Sequence, residues 1–379
     1  MSDKKKMLII TSKGGGGHES VALLLDGIFA DAFDVTNIYP THALTSRFKP
    51  EFKISRFEHF YNFMLKNKMT RCIHSYIRIF KCFIWPTRGR ALQKAVGKYV
   101  DAMQPDIVIS VFPFFNYQLI NVCRERSIPF LVLTNDLDTS NYIYKFKHRN
   151  YDQLKYVLTF DDATIREKIK PANLLDSQVE TLGFPVREDF LTPKDLTQIK
   201  HDFQLPSDIP VVMLLMGGQG SKANLLFAEQ ICQMNIAMHL VVCVGRDEKM
   251  KTKIEALPRH PAVQLSVVGF TQRIADLMAV SDVFVTKPGP NSIAEAVYSE
   301  LPMILDHTSR VMYWEQLNID FVLKNQLGLT VEKYSDIKSV LRKMLTNKTY
   351  YQQAKENLAK FPKPNFAKAI KTLVDDMVD

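Results

Sequence analysis

The sequence predicts an α/β protein with two Rossmann-like domains. Its 379 residues are too many for one ordinary hydrophobic core and suit two domains of about 150–200 residues each. Short apolar runs without polar alternation recur along the chain, as expected for strands of a parallel sheet that is covered on both faces. Each half also opens with an apolar run, a glycine-rich turn and a helical pattern. Because open α/β sheets bind ligands at the carboxyl ends of their strands, we expect a ligand cleft between the two domains.

The first half of the chain is predicted to hold six strands. They cover residues 7–11, 35–38, 107–111, 131–134, 156–160 and 179–182. A helix is predicted to start near His18, directly after the first strand and its glycines. Four prolines then fall within 26 residues, at Pro185, Pro193, Pro206 and Pro210, and we interpret this segment as the linker between the domains.

The second half repeats the alternation of strands and helices. Its predicted strands cover residues 211–216, 241–244, 263–267, 283–286 and 303–305. Residues 336–379 are predicted to be helical, with a break at 361–364. We therefore predict domains at residues 1–190 and 191–379, and the last helices are candidates for packing back on the first domain.

The overall composition excludes several classes of protein. With 46% hydrophobic and 23% charged residues, the chain is not disordered, collagen-like or mainly a coiled coil. The five cysteines form no C-x-x-C pair, which favours a reducing compartment over a disulfide scaffold or a cysteine-rich zinc site. No signal peptide is evident, and no run approaches the roughly 18–20 apolar residues of a membrane-spanning helix. We expect a cytoplasmic protein that is at most peripheral on a membrane.

The positive charge of the chain is concentrated in one segment. Residues 47–98 contain 13 basic and two acidic residues, whereas the rest of the chain has 36 basic and 38 acidic residues. Apolar residues recur there at helical spacing, at Phe57, Phe60, Tyr61, Met64, Ile73, Tyr76, Ile77, Phe80 and Ile84. Two amphipathic helices with cationic faces would suit an anionic membrane surface. Alternatively, the apolar stripe packs on the domain's own sheet. We expect no nucleic-acid binding, because no known nucleic-acid-binding motif is present.

Two glycine-rich turns are the first candidate binding elements. Residues 14–17 are four glycines between the first strand and His18, and residues 217–221 form a second such turn after strand 211–216. Glycines let a ligand approach the backbone, and the following helix offers free N–H groups and the positive end of its dipole. Neither turn matches a dinucleotide fingerprint or a P-loop. A tight βα turn with a helix-capping His18 is the structural alternative.

The block at residues 286–296 is more informative. A strand ends there, a Pro-Gly-Pro sequence makes a turn, Asn291 is a candidate cap, and a helix begins. Glu295 is predicted in the first turn of this helix. There its carboxylate can interact favourably with the helix dipole, or it can accept two hydrogen bonds from a ribose diol.

At these residues the sequence resembles a family of GT-B glycosyltransferases. The family comprises monogalactosyldiacylglycerol synthases, processive diacylglycerol glucosyltransferases and the related peptidoglycan N-acetylglucosaminyltransferase of the lipid II pathway. The matching motifs occur in the same order at residues 15–18, 105–110, 182–187, 268–270 and 287–296. The resemblance covers about residues 7–330. It implies the GT-B fold, with two Rossmann-like domains that face each other across a cleft.

The resemblance also implies the roles of individual residues. The second domain would bind a UDP-sugar donor through Gly218, Gln219, Gly220 and Ser221 at the diphosphate, Gly269 and Phe270 at the uracil, Glu295 at the ribose, and Pro288, Gly289, Asn291, Ser292, Glu315 and Gln316 around the remaining groups. The first domain would bind a lipid acceptor, with His18 as general base beside Gly15, Gly16, Gly17, Asn135 and Asp136. The reaction would invert the anomeric centre of a hexose, and the acceptor would be a membrane lipid such as diacylglycerol.

Departures from the family pattern lie on the acceptor side. Lys13 stands where the plant galactosyl enzymes carry an acidic residue, and Phe112 stands in the place of a histidine. The resemblance implies neither a metal nor another cofactor, although Asp136-Leu137-Asp138 has the form of the metal-binding motif of GT-A enzymes. Three alternatives remain open: N-acetylhexosaminyl transfer to a polyprenyl-linked acceptor, epimerisation of a UDP-sugar, and nucleotide-sugar binding without catalysis.

Overall fold

The computed structural model describes residues 4–14, 16–40, 56–66, 69–79, 85–143, 151–217 and 221–379. The chain forms two compact units. The first comprises most of residues 1–185 together with residues 364–379, and the second consists mainly of residues 186–363.

The first unit is built on a parallel sheet of six strands. The strands are β1 (Lys5–Ile10), β2 (Phe33–Ile38), β3 (Ile107–Ser110), β4 (Phe130–Leu133), β5 (Leu154–Leu158) and β6 (Val179–Thr181), in the order β2-β1-β3-β4-β5-β6. Residues 7–10 of β1 are completely buried, because this strand lies inside the sheet and both of its faces are covered. All six predicted strands are confirmed, with ends that differ by up to two residues.

The helices of the first unit follow these strands. They are α1 (Gly17–Phe29), α2 (Arg56–Lys66), α3 (Thr70–Ile79), α4 (Trp85–Met103), α5 (Asn116–Arg124) and α6 (Ala163–Ile169). Short 3-10 turns occur at Thr139–Asn141, Lys170–Ala172 and Asp176–Gln178.

The second unit has its own parallel sheet of six strands. The strands are β7 (Val211–Leu215), β8 (Met238–Gly245), β9 (Val263–Gly269), β10 (Val283–Thr286), β11 (Met303–Asp306) and β12 (Gly328–Val331), in the order β12-β11-β10-β7-β8-β9. The edge strand β12 was not predicted. Gly328 is required in it, because a Cβ atom there would collide with the carbonyl of Met303 on the neighbouring strand.

The second unit has eight helices among the described residues, and the last two of them were predicted as one continuous helix. The helices are α7 (Leu196–Asp202), α8 (Lys222–Cys232), α9 (Glu248–Glu255), α10 (Ile274–Ala279), α11 (Pro290–Tyr298), α12 (Gln316–Lys324), α13 (Ile337–Thr346) and α14 (Lys348–Lys360), with 3-10 turns at Glu188–Phe190 and Tyr334–Asp336. The predicted helix from residue 336 is interrupted at Asn347, whose side chain accepts a hydrogen bond from the Tyr350 N–H and thereby caps α14.

The last helix, α15 (Phe366–Val378), belongs to the first unit. Phe366, Ile370 and Val374 are fully buried in the cluster that also holds Leu25 and Phe29 of α1. The core of the first unit is therefore completed by residues from the far end of the sequence.

The apolar stripe of the basic segment is partly buried in the first unit. Met64, Ile73 and Ile77 are at most 4% exposed, whereas Phe60 is 49% exposed. Phe57, Phe80 and Ile84 lie outside the side chains that the structure describes. The large exposed apolar side chains of α2 and α3 are Phe60, which belongs to the stripe, and Phe63 and Ile79, which do not. Within the described residues, no helix is both long and apolar enough to cross a membrane.

Candidate functional site

The first glycine-rich turn connects β1 to α1 at the carboxyl edge of the first sheet. Gly16 is the N-cap residue of α1 and has a φ angle of 81°, a left-handed conformation that favours glycine. His18 is the second residue of the helix, so it is not the cap. Gly15 lies outside the described residues.

The His18 imidazole is kept neutral by its surroundings. Burial lowers its pKa to about 4, and the Asn135 side chain and the Val111 backbone oppose this shift only in part. Desolvation is the main cause of this shift in pKa. The rings of Phe112 and Tyr142 pack edge-on to the imidazole, at centroid distances of 5.9 and 6.4 Å. Nδ1 is buried without a hydrogen-bond partner among the described residues.

Asn135 and Asp136 follow β4 and reach the same site. The main-chain position of Gly17 lies against Asn135, whose Nδ2 would be 3.6 Å from a Cβ atom at residue 17. The buried Tyr142 hydroxyl donates a hydrogen bond to Asn135 Oδ1 and lies 3.4 Å from Asp136 Oδ2. The structure therefore brings His18, Gly17, Asn135 and Asp136 together, and their role in acceptor binding stays a prediction.

Sequence reasoning missed the network that supports this cluster. Asn116 donates from Nδ2 to the Tyr142 carbonyl at 3.0 Å, and the Ser110 hydroxyl donates to Asn116 Oδ1 at 2.7 Å. Tyr142 is fully buried and burial raises its pKa well above the usual value, so its hydroxyl remains a hydrogen-bond donor. These residues are spread over 33 positions of sequence, and only the parallel pairing of β3 with β4 brings them together.

The second glycine-rich turn follows β7 in the second unit. Gly217 has a φ angle of 94°, and the side chain of Ser221 caps α8 by accepting a hydrogen bond from the Ala223 N–H at 3.2 Å. The buried Asn224 accepts from the Met216 N–H and donates to the Cys243 carbonyl, which holds the turn against the sheet. Gly218, Gln219 and Gly220 lie outside the described residues.

Glu295 lies in the second turn of α11 rather than in the first. Gly289 is the N-cap and Pro290 is the first helical residue, so the prediction that Asn291 caps the helix is also wrong. Glu295 is half-buried, and burial raises its pKa to about 7. Arg187 counteracts this shift and Asp189 adds to it. Near neutral pH this carboxyl group is therefore divided between its charged and neutral forms.

Lys287 lies between the two turns of the second unit. Its Cε atom would be 3.4 Å from a Cβ atom at Gly217 and 3.1 Å from one at Gly289, so both glycines make room for the lysine chain. Burial raises the pKa of Glu315, and the nearby ammonium group of Lys287 opposes that shift. Lys287 was not among the residues predicted for the donor site, although a cation between two glycine turns is a ready partner for phosphate.

The remaining residues predicted for the donor site lie near the end of β9 and the start of α12. Phe270 is 60% exposed, and the guanidinium of Arg246 lies 4.3 Å from its ring centroid. Gly269 ends β9. Gln316 is exposed and its Nε2 donates to Asp320 at 3.0 Å, whereas the buried Asn318 donates to the Pro288 carbonyl. Because Thr286 pairs with Leu215 and Leu305 in parallel register, the turns after β7, β10 and β11 share one edge of the sheet.

The Asp136-Leu137-Asp138 motif has a structural role at its second aspartate. Asp138 accepts a hydrogen bond from the Ser140 N–H and pairs with Lys168 at 3.5 Å. In the part of the chain that the structure describes, no group of three or more His, Cys, Asp or Glu side chains is placed to hold a metal ion.

The two sheets and their glycine turns define the class of protein. Residues 211–370 match the family model of the Glycosyltransferase family 28 C-terminal domain. MurG of Acinetobacter baumannii has the same fold, with a TM-score of 0.64 at 11% identity over 98% of this chain and 99% of that protein. The fold is GT-B, as the sequence predicted.

Sequence similarity narrows the resemblance to enzymes named for glycolipid synthesis. The chain is 27% identical over 306 residues to a probable monogalactosyldiacylglycerol synthase of Glycine max, covering 76% of this chain and 54% of the relative. It is 26% identical over 269 residues to the processive diacylglycerol beta-glucosyltransferase of Bacillus subtilis, covering 70% of this chain and 67% of the relative. The chain thus spans about half the length of the plant relative and two thirds of the bacterial one.

Proposed function

We propose that this chain is an inverting glycosyltransferase that moves a hexose from a UDP-sugar to a membrane lipid such as diacylglycerol. The observation that carries the proposal is the match of residues 211–370 to the family 28 domain, with Lys287 between the glycine turns of its sheet. The similarity to enzymes named for diacylglycerol glycosylation supports the lipid acceptor.

The proposed donor site lies in the second unit. Gly218, Gln219, Gly220 and Ser221 contact the diphosphate at the start of α8, where free N–H groups and the helix dipole favour an anion. Lys287 adds positive charge as the diphosphate leaves. Phe270 with Gly269 lies against the uracil. Glu295 accepts hydrogen bonds from the ribose, and Pro288, Gly289, Asn291, Ser292, Glu315 and Gln316 contact the remaining groups of the donor.

The proposed acceptor site lies in the first unit, around His18. Its neutral imidazole removes the proton of the acceptor hydroxyl as that oxygen forms a bond to the anomeric carbon. The bond between this carbon and the diphosphate oxygen breaks in the same step, so UDP leaves and the configuration inverts. Asn135 and Tyr142 orient the imidazole and the acceptor, and Gly15, Gly16 and Gly17 belong to the proposed acceptor loop. Asp136 is the next candidate for the base.

The proposed binding sites for acceptor and donor are assigned to the two predicted domains. The first domain, predicted at residues 1–190, binds the acceptor, and the second, predicted at residues 191–379, binds the nucleotide sugar, although residues 364–379 pack in the first unit. The basic segment 47–98 holds the protein on an anionic membrane surface, as a peripheral protein of the cytoplasmic face. The exposed Phe60, Phe63 and Ile79 next to cationic residues support this part of the proposal.

The test is to follow labelled sugar from a panel of UDP-sugars into the organic phase. Purified protein is incubated with vesicles that contain diacylglycerol or a polyprenyl-linked acceptor. Label in the diacylglycerol fraction, with one UDP released per sugar transferred, is the expected result. UDP-sugar binding without release would identify a non-catalytic binding protein, and a changed UDP-sugar in the aqueous phase would identify an epimerase.

A further inference from the structure

The buried carboxylate of Glu58 connects the basic segment to the glycine turn before His18. Glu58 lies in α2 and is 1% exposed. Its Oε1 atom accepts a hydrogen bond from the Ser12 hydroxyl at 2.7 Å and another from the Lys13 N–H at 2.9 Å. A buried carboxylate is costly unless such donors satisfy it, so the two bonds anchor α2 at this place.

Further contacts of α2 hold the same short stretch of backbone. Asn62, one helical turn after Glu58, donates from Nδ2 to the Lys13 carbonyl at 3.1 Å. The Gly14 N–H donates to Ser12 Oγ at 3.0 Å, and a Cβ atom at Gly14 would lie 3.4 Å from the Tyr61 ring. The carbonyl and N–H of Lys13 are therefore both bound by one face of α2.

The side chain of Lys13 continues this chain of contacts into α1. Its Nζ atom forms an ion pair with Glu19 Oε1 at 3.1 Å and lies 5.1 Å from the centroid of the Tyr39 ring. Glu19 is the residue next to His18 in the first turn of α1. Glu58 is thus connected to the first turn of α1, which carries the imidazole, through its hydrogen bond to the Lys13 N–H and the ion pair of the Lys13 side chain with Glu19.

The same helix α2 presents apolar side chains to the outside. Phe60 is 49% exposed and Phe63 is 57% exposed, whereas Met64 is buried. One face of α2 is thus tied to the glycine turn, while Phe60 and Phe63 on another face are exposed.

We propose that Glu58 is a positioning residue, which ties α2 to the Ser12–Gly14 backbone so that the His18 turn is held in place for the acceptor. The proposal rests on the proposed function. It assigns Glu58 no contact with the substrate, because its carboxylate is occupied by Ser12 and Lys13. Its effect is expected on acceptor turnover and not on nucleotide binding, because the donor residues belong to the second unit.

The test compares Glu58→Ala with Glu58→Gln. Glutamine keeps an oxygen that can accept from Ser12 and Lys13, so Glu58→Gln is expected to keep kcat within about threefold of the wild type. Glu58→Ala is expected to lower kcat for the lipid acceptor about 10- to 100-fold, which is the cost of a small misplacement of a reacting group. The dissociation constant for UDP is expected to be unchanged in both. His59→Ala, an exposed neighbour on α2, is the matched control.

Amide hydrogen exchange supplies a readout that does not depend on activity. The amides of Lys13 and Gly14 are expected to exchange faster in Glu58→Ala, and near the wild-type rate in Glu58→Gln and His59→Ala. If Glu58→Ala does not fold, Asn62→Ala removes the second tie and is expected to expose the same amides. Unchanged exchange and unchanged kcat in Glu58→Ala would overturn the proposal, as would a parallel loss of UDP binding. If the wild type transfers no sugar at all, the exchange rates still show whether Glu58 holds the Ser12–Gly14 backbone in place. Only the proposed function then fails.

Discussion

Replacement of Glu295 separates the contribution of this carboxyl group to ligand binding from its contribution to stability. Burial raises its pKa from 4.5 to about 7 in the folded protein. The folded state therefore holds the proton more tightly than the unfolded state, so its stability is full below pH 4.5 and falls as the pH rises to about 7. A shift of this size corresponds to roughly 3 kcal/mol of lost stability above pH 7.

Glu295→Gln has the same shape but cannot ionise. It is therefore expected to melt several degrees higher than the wild type at pH 8, where the wild type bears the buried charge, and at nearly the same temperature at pH 4.5. Thermal unfolding at the two pH values measures this difference.

The same charge is expected to favour UDP. A hydrogen bond to a charged group contributes about 1.5–3 kcal/mol, so Glu295→Ala is expected to weaken UDP binding roughly 10- to 150-fold at pH 8. In the wild type, affinity is expected to fall up to about tenfold per pH unit below 7, as the carboxylate takes up its proton. Calorimetric titration of UDP against pH is the assay. Glu295→Gln is the control, because residue 295 cannot ionise in this variant while the phosphate groups of UDP titrate as before. Equal affinities and equal pH profiles in wild type and Glu295→Gln would refute the assignment of Glu295 to the ribose.

Three further outcomes are expected. His18→Ala is expected to lower sugar transfer about 10²- to 10⁴-fold while UDP affinity stays the same, and near-normal transfer by a folded variant would exclude His18 as the base. Arg71 and Arg78 are both exposed, so changing them to Glu is expected to reduce co-sedimentation with anionic vesicles at low salt, and binding that ignores lipid charge would contradict this. Gly328→Ala is expected to destabilise the second unit by several kcal/mol because its Cβ atom collides with the Met303 carbonyl, and an unchanged melting temperature would show that β12 can shift.

The sequence predicted most of the fold because buried parallel strands are apolar throughout. Strands such as β4 and β7 are almost completely buried and stand out as apolar runs. The edge strand β12 has two half-buried residues between its buried ends, so its pattern resembles a loop. The helix break at Asn347 was missed because capping depends on one side chain and leaves no gap in the apolar pattern.

The candidate site was predictable only where glycines and motif order mark it. The turns near Gly16 and Gly217 could be located from sequence, since each follows an apolar strand. The buried position of Tyr142 and the place of Lys287 between two turns could not, because both arise from the packing of separate strands. Glu295 was placed a turn too early, since Pro290 already starts α11. Its raised pKa follows from burial, which the sequence does not reveal.

The position of α15 has a consequence for the order of folding during synthesis. Residues 186–363 are continuous in sequence, so the second unit can complete its core while the chain is still being made. The first unit cannot, because the apolar surface that α1 presents to Phe366, Ile370 and Val374 stays uncovered until those residues leave the ribosome. Domains usually fold in the order of their synthesis, but here the unit that is made first is the last to be finished. In the nascent chain, this uncovered surface is where a chaperone is expected to bind.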